Sequence, residues 1–163
     1  MKRILVVGTT KNKNVDLIYS LISNFPNCVF VFIGKYENSL KYSNFSSYSN
    51  LTDNELVEQY KTANILLFPT LSEGFGMPII ESQYFGLPVI TSKYEPMYSV
   101  AGKECALFVN PKNKNEIINA INTLLTDEVR RKYLINNGFS NANKYLKNNI
   151  LIKLSNLYNK ILN

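Results

Sequence analysis

Two carboxylates eight positions apart, Glu73 and Glu81, flank the glycine-rich segment Gly74-Phe75-Gly76-Met77-Pro78. Carboxylates accept hydrogen bonds in pairs and suit sugar hydroxyls, so Glu81 is placed to hold a ribose and Glu73 to meet a transferred sugar. Taken alone, Glu81 reads equally well as an acidic residue favoured by the dipole at a helix start. Gly74 and Gly76 let the backbone bend, and by themselves mark no more than a strand-to-helix turn. Pro78 suits the first helical position, where its missing N–H costs nothing, so the amides of Gly76 and its neighbours can point at an oxyanion. Ser72, Phe75 and Met77 complete that loop. A second stretch, Gly8-Thr9-Thr10-Lys11-Asn12-Lys13-Asn14, supplies a glycine for close backbone approach, two hydroxyls and two lysines, a set suited to phosphate. Gly34 and Lys35 stand in a similar place after another apolar run.

These residues must be positioned by a scaffold, and its class is legible in the order of elements. Arg3–Val7, Val29–Ile33, Ile65–Phe68, Pro88–Thr91 and Ala106–Val109 read as strands that are apolar throughout, the mark of strands covered on both faces. Val15–Asn24, Asp53–Thr62, Pro78–Phe85 and Glu116–Leu125 carry helical spacing between them. The alternation predicts an α/β fold, a Rossmann-like doubly wound parallel sheet with helices on both faces. Thr52-Asp53-Asn54-Glu55 is a capping box that opens one helix, while Gly86 and Pro88 close another. Phe45–Tyr48 is a weak, polar strand candidate, and the surrounding segment Tyr36–Asn50, rich in Ser, Asn and Tyr, suits a mobile surface loop. From Glu128 onward the pattern is helical to the end, with breaks expected at Gly138 and Asn141. In an open parallel sheet the ligand lies beyond the carboxyl ends of the strands, where all three loops fall.

Composition narrows the chemistry. With 163 residues, 45% hydrophobic and 18% charged, the chain suits one well-buried domain, and a site needing a second wall must borrow it. No apolar run is long enough to span a bilayer, and the N-terminus carries no secretory pattern, so a cytoplasmic, soluble protein is expected. Cys28 and Cys105 each sit in an apolar stretch and suit buried reduced thiols. The net charge of +6 fits an anionic ligand, an acidic membrane surface or nucleic acid. Nucleic acid is disfavoured because no aromatic-interleaved basic motif accompanies the charge. The late basic residues Arg130, Arg131, Lys132, Lys144, Lys147, Lys153 and Lys160 read as a solvated helical face or as a site of peripheral contact with anionic lipid. With no histidine, the chain has no His base, no Ser-His or Cys-His nucleophile and no His-ligated zinc.

The run Glu73-Gly74-Phe75-Gly76-Met77-Pro78-Ile79-Ile80-Glu81, followed by Gly86-Leu87-Pro88-Val89-Ile90, resembles the Glu-x7-Glu signature of retaining GT-B glycosyltransferases of the group 1, or family 4, type. The likeness extends through Leu56-x-x-x-Tyr60-x-x-Ala63, Gly102, Ala106-Leu107-Phe108-Val109-Asn110-Pro111 and the helices after Glu116. It implies a domain that binds a nucleotide sugar, usually a UDP- or GDP-sugar, without a metal ion or other cofactor. The resemblance puts Glu73 and Lys13 in the catalytic set. Gly8, Thr9, Thr10, Lys11, Gly34, Ser72, Gly74, Phe75, Gly76, Met77 and Glu81 form the donor-binding set. Lys13 matches the lysine of the basic pair that neutralises the diphosphate. The arginine of that pair falls at Thr9-Thr10, so either Lys11 substitutes for it or phosphate affinity is reduced, and Tyr98-Ser99 stand where relatives carry Pro-Glu. Family members are about twice this long because an N-terminal domain binds the acceptor, a saccharide or lipid-linked sugar. The expected role is therefore the donor half of a hexosyltransferase in polysaccharide biosynthesis, acting in the cytoplasm or at the inner face of the membrane beside a separate acceptor domain or subunit. A catalytically silent nucleotide-sugar-binding or regulatory module is the alternative.

Overall fold

The computed structural model describes residues 1–36, 42–146, 148 and 149. Six strands form one sheet, paired in parallel throughout: β1 (Lys2–Val7), β2 (Cys28–Ile33), β3 (Phe45–Tyr48), β4 (Ile65–Phe68), β5 (Val89–Ser92) and β6 (Leu107–Val109). Their order is β3-β2-β1-β4-β5-β6. The helices are α1 (Val15–Ser20), α2 (Asp53–Thr62), α3 (Met77–Tyr84), α4 (Met97–Ala101), α5 (Lys114–Thr126) and α6 (Glu128–Ala142). Two 3-10 turns, Lys11–Lys13 and Ile22–Asn24, flank α1.

The strand pleat explains why these segments are apolar at every position. Successive side chains leave a strand on opposite faces. Ile4, Val6, Phe30, Phe32, Ile65, Leu67 and Ile90 enter one core with Val15 and Ile18 of α1 and Ile117, Ile121 and Leu124 of α5. Leu5, Val31, Leu66, Phe68 and Val89 enter a second core with Tyr60 of α2, Ile79 and Ile80 of α3, and Met97 and Val100 of α4. The doubly wound expectation therefore holds, with hydrophobic burial on both sides of the sheet as the main stabilising term.

The sequence-predicted boundaries of α2 and β4 match the structure, and the Thr52/Glu55 capping box is formed, with Glu55 N donating to Thr52 Oγ1 and Thr52 N to Glu55 Oε2. Other expectations need correction. The strand candidate Phe45–Tyr48 is β3 to the residue, pairing with β2 from Phe30↔Phe45 to Ile33↔Tyr48, so the surface-loop expectation for Tyr36–Asn50 fails over that stretch; residues 37–41 lie outside the described part. Pro78 occupies the second residue of α3, because the helix opens at Met77 after Gly76. Gly138 and Asn141 do not break α6. A Cβ at Gly138 would lie 3.0 Å from Gln83 Cγ, so the glycine lets α6 approach α3 closely. Asn141, 4% exposed, lies with Nδ2 2.9 Å from Gln83 Oε1 and 2.8 Å from Val100 O, and Gln83 Nε2 donates to Ala101 O at 2.6 Å. A buried polar knot thus ties α6, α3 and α4 together. Cys28 is buried as expected, whereas Cys105 is only half-buried; both are free thiols. No helix among the described residues is long and apolar enough to cross a membrane.

Candidate functional site at the switch point of the sheet

The chain runs from β1 to β2 on one side and later returns to place β4 on the other side of β1. The loops after β1 and β4 therefore diverge from the carboxyl ends of neighbouring strands, where an open parallel sheet forms its ligand crevice. These are the two loops with anion-binding composition. Asn12 O accepts from Leu71 N at 2.7 Å and Thr70 Oγ1 at 2.8 Å, and Asn12 Nδ2 donates to Ser72 O at 3.0 Å. Beneath them, the buried Asn14 adopts a left-handed conformation with φ 62°, from which Nδ2 reaches Pro111 O at 2.6 Å and Pro69 O at 3.2 Å. Thr70 O in turn accepts from Ser92 Oγ and Tyr94 Oη, both at 2.6 Å. The ends of four strands, β1, β4, β5 and β6, are thereby stitched into one fixed rim.

On this rim Lys13 and Glu73, distant by 60 positions in the chain, form an ion pair. Each side chain is only 16% exposed. Lys13 Nζ also lies 4.6 Å from the centroid of the Phe68 ring, a cation–π contact. Gly8, with φ 87°, is required here twice over: the left-handed backbone favours glycine, and a Cβ would lie 3.0 Å from Lys13 Cε and 3.1 Å from Cγ. Glu73 Oε1 accepts from Gly74 N at 3.1 Å. No Cβ clash exists at Gly74, which faces open space.

The start of α3 has Gly76 (φ 94°) at its N-cap and no side chain capping it; Pro78 carries no N–H and Ile79 N donates to Gly76 O at 2.9 Å, so the Met77 amide is the one left for an anion in this first turn. Glu81, one turn further on, accepts from Tyr60 Oη at 2.5 Å. Tyr60 is 1% exposed and stacks on Phe85 with ring centroids 5.7 Å apart. Burial, followed by the charge and hydrogen bond of Glu81, pushes the Tyr60 phenol far above its ordinary value, so it remains a donor. Glu81 is therefore a carboxylate held by Tyr60 beside Phe85 and Leu56, where α3 faces α2.

The structure brings Gly8, Lys13, Ser72, Glu73 and Gly74 together directly. Gly34 serves Thr9: a Cβ there would come within 2.5 Å of Thr9 Oγ1. Thr10 Oγ1 donates within its own loop to Asn12 Oδ1 at 2.5 Å, and Lys11 is exposed. Phe75 and Met77 are exposed as well, Phe75 packing edge-on to Tyr145 with centroids 5.9 Å apart. Sequence reasoning assigned no role to Asn12, Asn14, Thr70, Tyr94 or Tyr60. The first two stood inside the quoted loop, and an asparagine before a helix is the available signal for Asn14. Among the described residues no group of three or more His, Cys, Asp or Glu side chains could hold a metal ion.

A Rossmann-like α/β domain with an anion-suited rim at its switch point is the class that the fold and site define. The chain belongs to the glycosyl transferases group 1 family, whose model matches residues 2–141. The serotype-specific mannosyltransferase WbdA of Escherichia coli is 32% identical over 95 residues, which cover 58% of this chain and 12% of that protein. Among solved structures, sucrose-phosphate synthase of Thermosynechococcus elongatus superposes with a TM-score of 0.81 at 20% identity, over 99% of this chain and 45% of that one. The C-terminal domain of the group 1 family protein LpcC of Francisella tularensis gives 0.73 at 19% identity, over 88% and 85% of the two chains. These likenesses establish the fold. The chain thus spans a small part of WbdA and under half of sucrose-phosphate synthase, but most of the isolated LpcC domain.

Proposed function

We propose that this chain is the donor-binding domain of a retaining hexosyltransferase that takes a UDP- or GDP-sugar and passes the sugar to a saccharide or lipid-linked acceptor. The observation that carries this reading is the convergence of Lys13, Glu73 and the uncapped start of α3 on one rim at the switch point, with Glu81 held by Tyr60 one turn away. Lys13 and the amides of the Gly74–Met77 loop receive the diphosphate, and their hydrogen bonds strengthen as negative charge builds on the leaving group. Glu81 accepts from the ribose hydroxyls, and Glu73 from hydroxyls of the transferred sugar. Charge compensation comes from these groups, with Lys11 in place of the family's arginine and no metal ion. Retention follows from attack on the same face as the departing diphosphate, with no protein nucleophile. The acceptor is presented by another domain or subunit at the cytoplasmic face of the membrane, which closes the cleft and excludes water.

The alternative, a silent nucleotide-sugar-binding module, is favoured by Thr9-Thr10 at the arginine position and predicts binding without transfer even beside an acceptor domain. Thermal unfolding with and without UDP, GDP, ADP and their sugars tests the proposal, since a ligand at 100 times its Kd raises stability by about 2.7 kcal/mol. No shift with any nucleotide at millimolar concentration refutes it. Sugar transfer on adding a separately expressed acceptor domain excludes the silent module.

A further inference from the structure

We propose that Glu73 is an internal substitute for the donor's phosphate: it pairs with Lys13 in competition with that phosphate, and it thereby discriminates against a nucleoside diphosphate that carries no sugar. The inference rests on the donor-site reading above and adds a selectivity device to it. Its basis is what Glu73 occupies. The carboxylate engages Lys13, a cation of the rim, and its Oε1 accepts the Gly74 amide at 3.1 Å, so it takes two donors that an entering phosphate would use. Both members of the pair are 16% exposed, and an ion pair that shielded from water is harder to exchange than a surface one. Lys13 itself has little freedom to turn elsewhere, since its stem lies against Gly8 and its ammonium over the Phe68 ring.

An incoming diphosphate must draw Lys13 from Glu73 or share it. A sugar nucleotide brings hydroxyls that satisfy the released carboxylate. A bare nucleoside diphosphate brings none, so Lys13 is drawn from Glu73 with nothing to replace it at the carboxylate. The same residue thus admits the charged donor and helps expel the spent diphosphate once the sugar has gone.

The test is calorimetric titration of UDP, GDP, UDP-glucose and GDP-mannose into the 163-residue chain, its Glu73→Gln and Glu73→Ala variants, and the same substitutions with Lys13→Gln. Freeing Lys13 from its internal ion pair predicts that Glu73→Gln binds the nucleoside diphosphate about tenfold tighter than the parent while gaining nothing for the sugar nucleotide. The gain should vanish in the Lys13→Gln background, which a purely structural role of Glu73 would not produce. Equal or weaker diphosphate binding by both Glu73 variants overturns the inference and leaves the donor-site reading intact. A gain that persists without Lys13 also overturns it. If neither parent nor variants bind any of the four ligands, the donor-site reading falls and takes the inference with it.

Discussion

Tyr60→Phe removes one oxygen atom and separates two contributions of the Tyr60–Glu81 contact. The hydroxyl donates to Glu81 Oε2 at 2.5 Å from a ring that is 1% exposed and stacked on Phe85. Hydrogen bonds to charged groups contribute roughly 1.5–3 kcal/mol. Glu81 is half-buried, so water can replace the lost donor at the carboxylate, and the cost falls to the low end, about 1.5 kcal/mol of unfolding free energy. The ring, its stacking and its burial are retained, which rules out a cavity contribution. The second effect is on ligand binding. A carboxylate freed to rotate loses part of its fixed alignment with the ribose hydroxyls, so nucleotide affinity should fall about three- to tenfold, the equivalent of roughly 0.7–1.4 kcal/mol. Urea denaturation measures the first quantity, and titration with UDP against 2′-deoxy-UDP, or the guanosine pair, measures the second. Tyr60→Phe should lower affinity for the ribonucleotide more than for the deoxynucleotide. An equal loss for both, or undiminished affinity, would refute the claim that Tyr60 aims Glu81 at a ribose.

Further outcomes follow from the same geometry. Tyr60 has its phenol raised above its ordinary 10.0, so its contribution is fully present below pH 10.0 and is lost as pH climbs beyond it, where the unfolded chain ionises first. The fall in stability above that pH, followed by circular dichroism, should be shallower in Tyr60→Phe than in the parent. Asn141→Ala strips the buried knot of the amide facing Gln83 Oε1 and Val100 O, and should cost about 2–3 kcal/mol in chemical denaturation with little change in nucleotide affinity. Gly8→Ala adds a left-handed strain of about 1 kcal/mol and pushes a methyl group onto Lys13, so diphosphate affinity should drop more than stability does. Affinity for the sugar nucleotide should be unchanged by EDTA and reduced by Lys13→Met, as read by calorimetry.

The scaffold was more legible than the site's internal wiring. Ile65–Phe68 and Asp53–Thr62 were readable to the residue because a fully apolar strand and a capping box are local signals. β3 was faint because an edge strand buries little: only Phe45 turns its ring onto Tyr19 and Phe32, with centroids 5.2 and 4.9 Å away. α4 escaped notice because five residues show no periodicity. Gly138 looked like a breaker since sequence cannot distinguish a glycine that ends a helix from one that lets two helices touch. At the site, residue types and loops were legible, but the partnerships were not. Lys13 meets Glu73 across 60 positions and Tyr60 meets Glu81 across 21, distances that only the sheet order closes.

The central claim, that the rim between β1 and β4 holds a nucleotide sugar, is tested most directly by amide chemical shifts of the isotope-labelled chain during titration with UDP-glucose and GDP-mannose. One of the two should shift the amides of Gly8, Lys13 and Gly74–Met77 in a saturable manner, with Glu81 and its neighbours following. Unmoved amides at millimolar ligand, or shifts confined to the opposite end of the sheet around Lys2, Asn64 and Arg131, would contradict it.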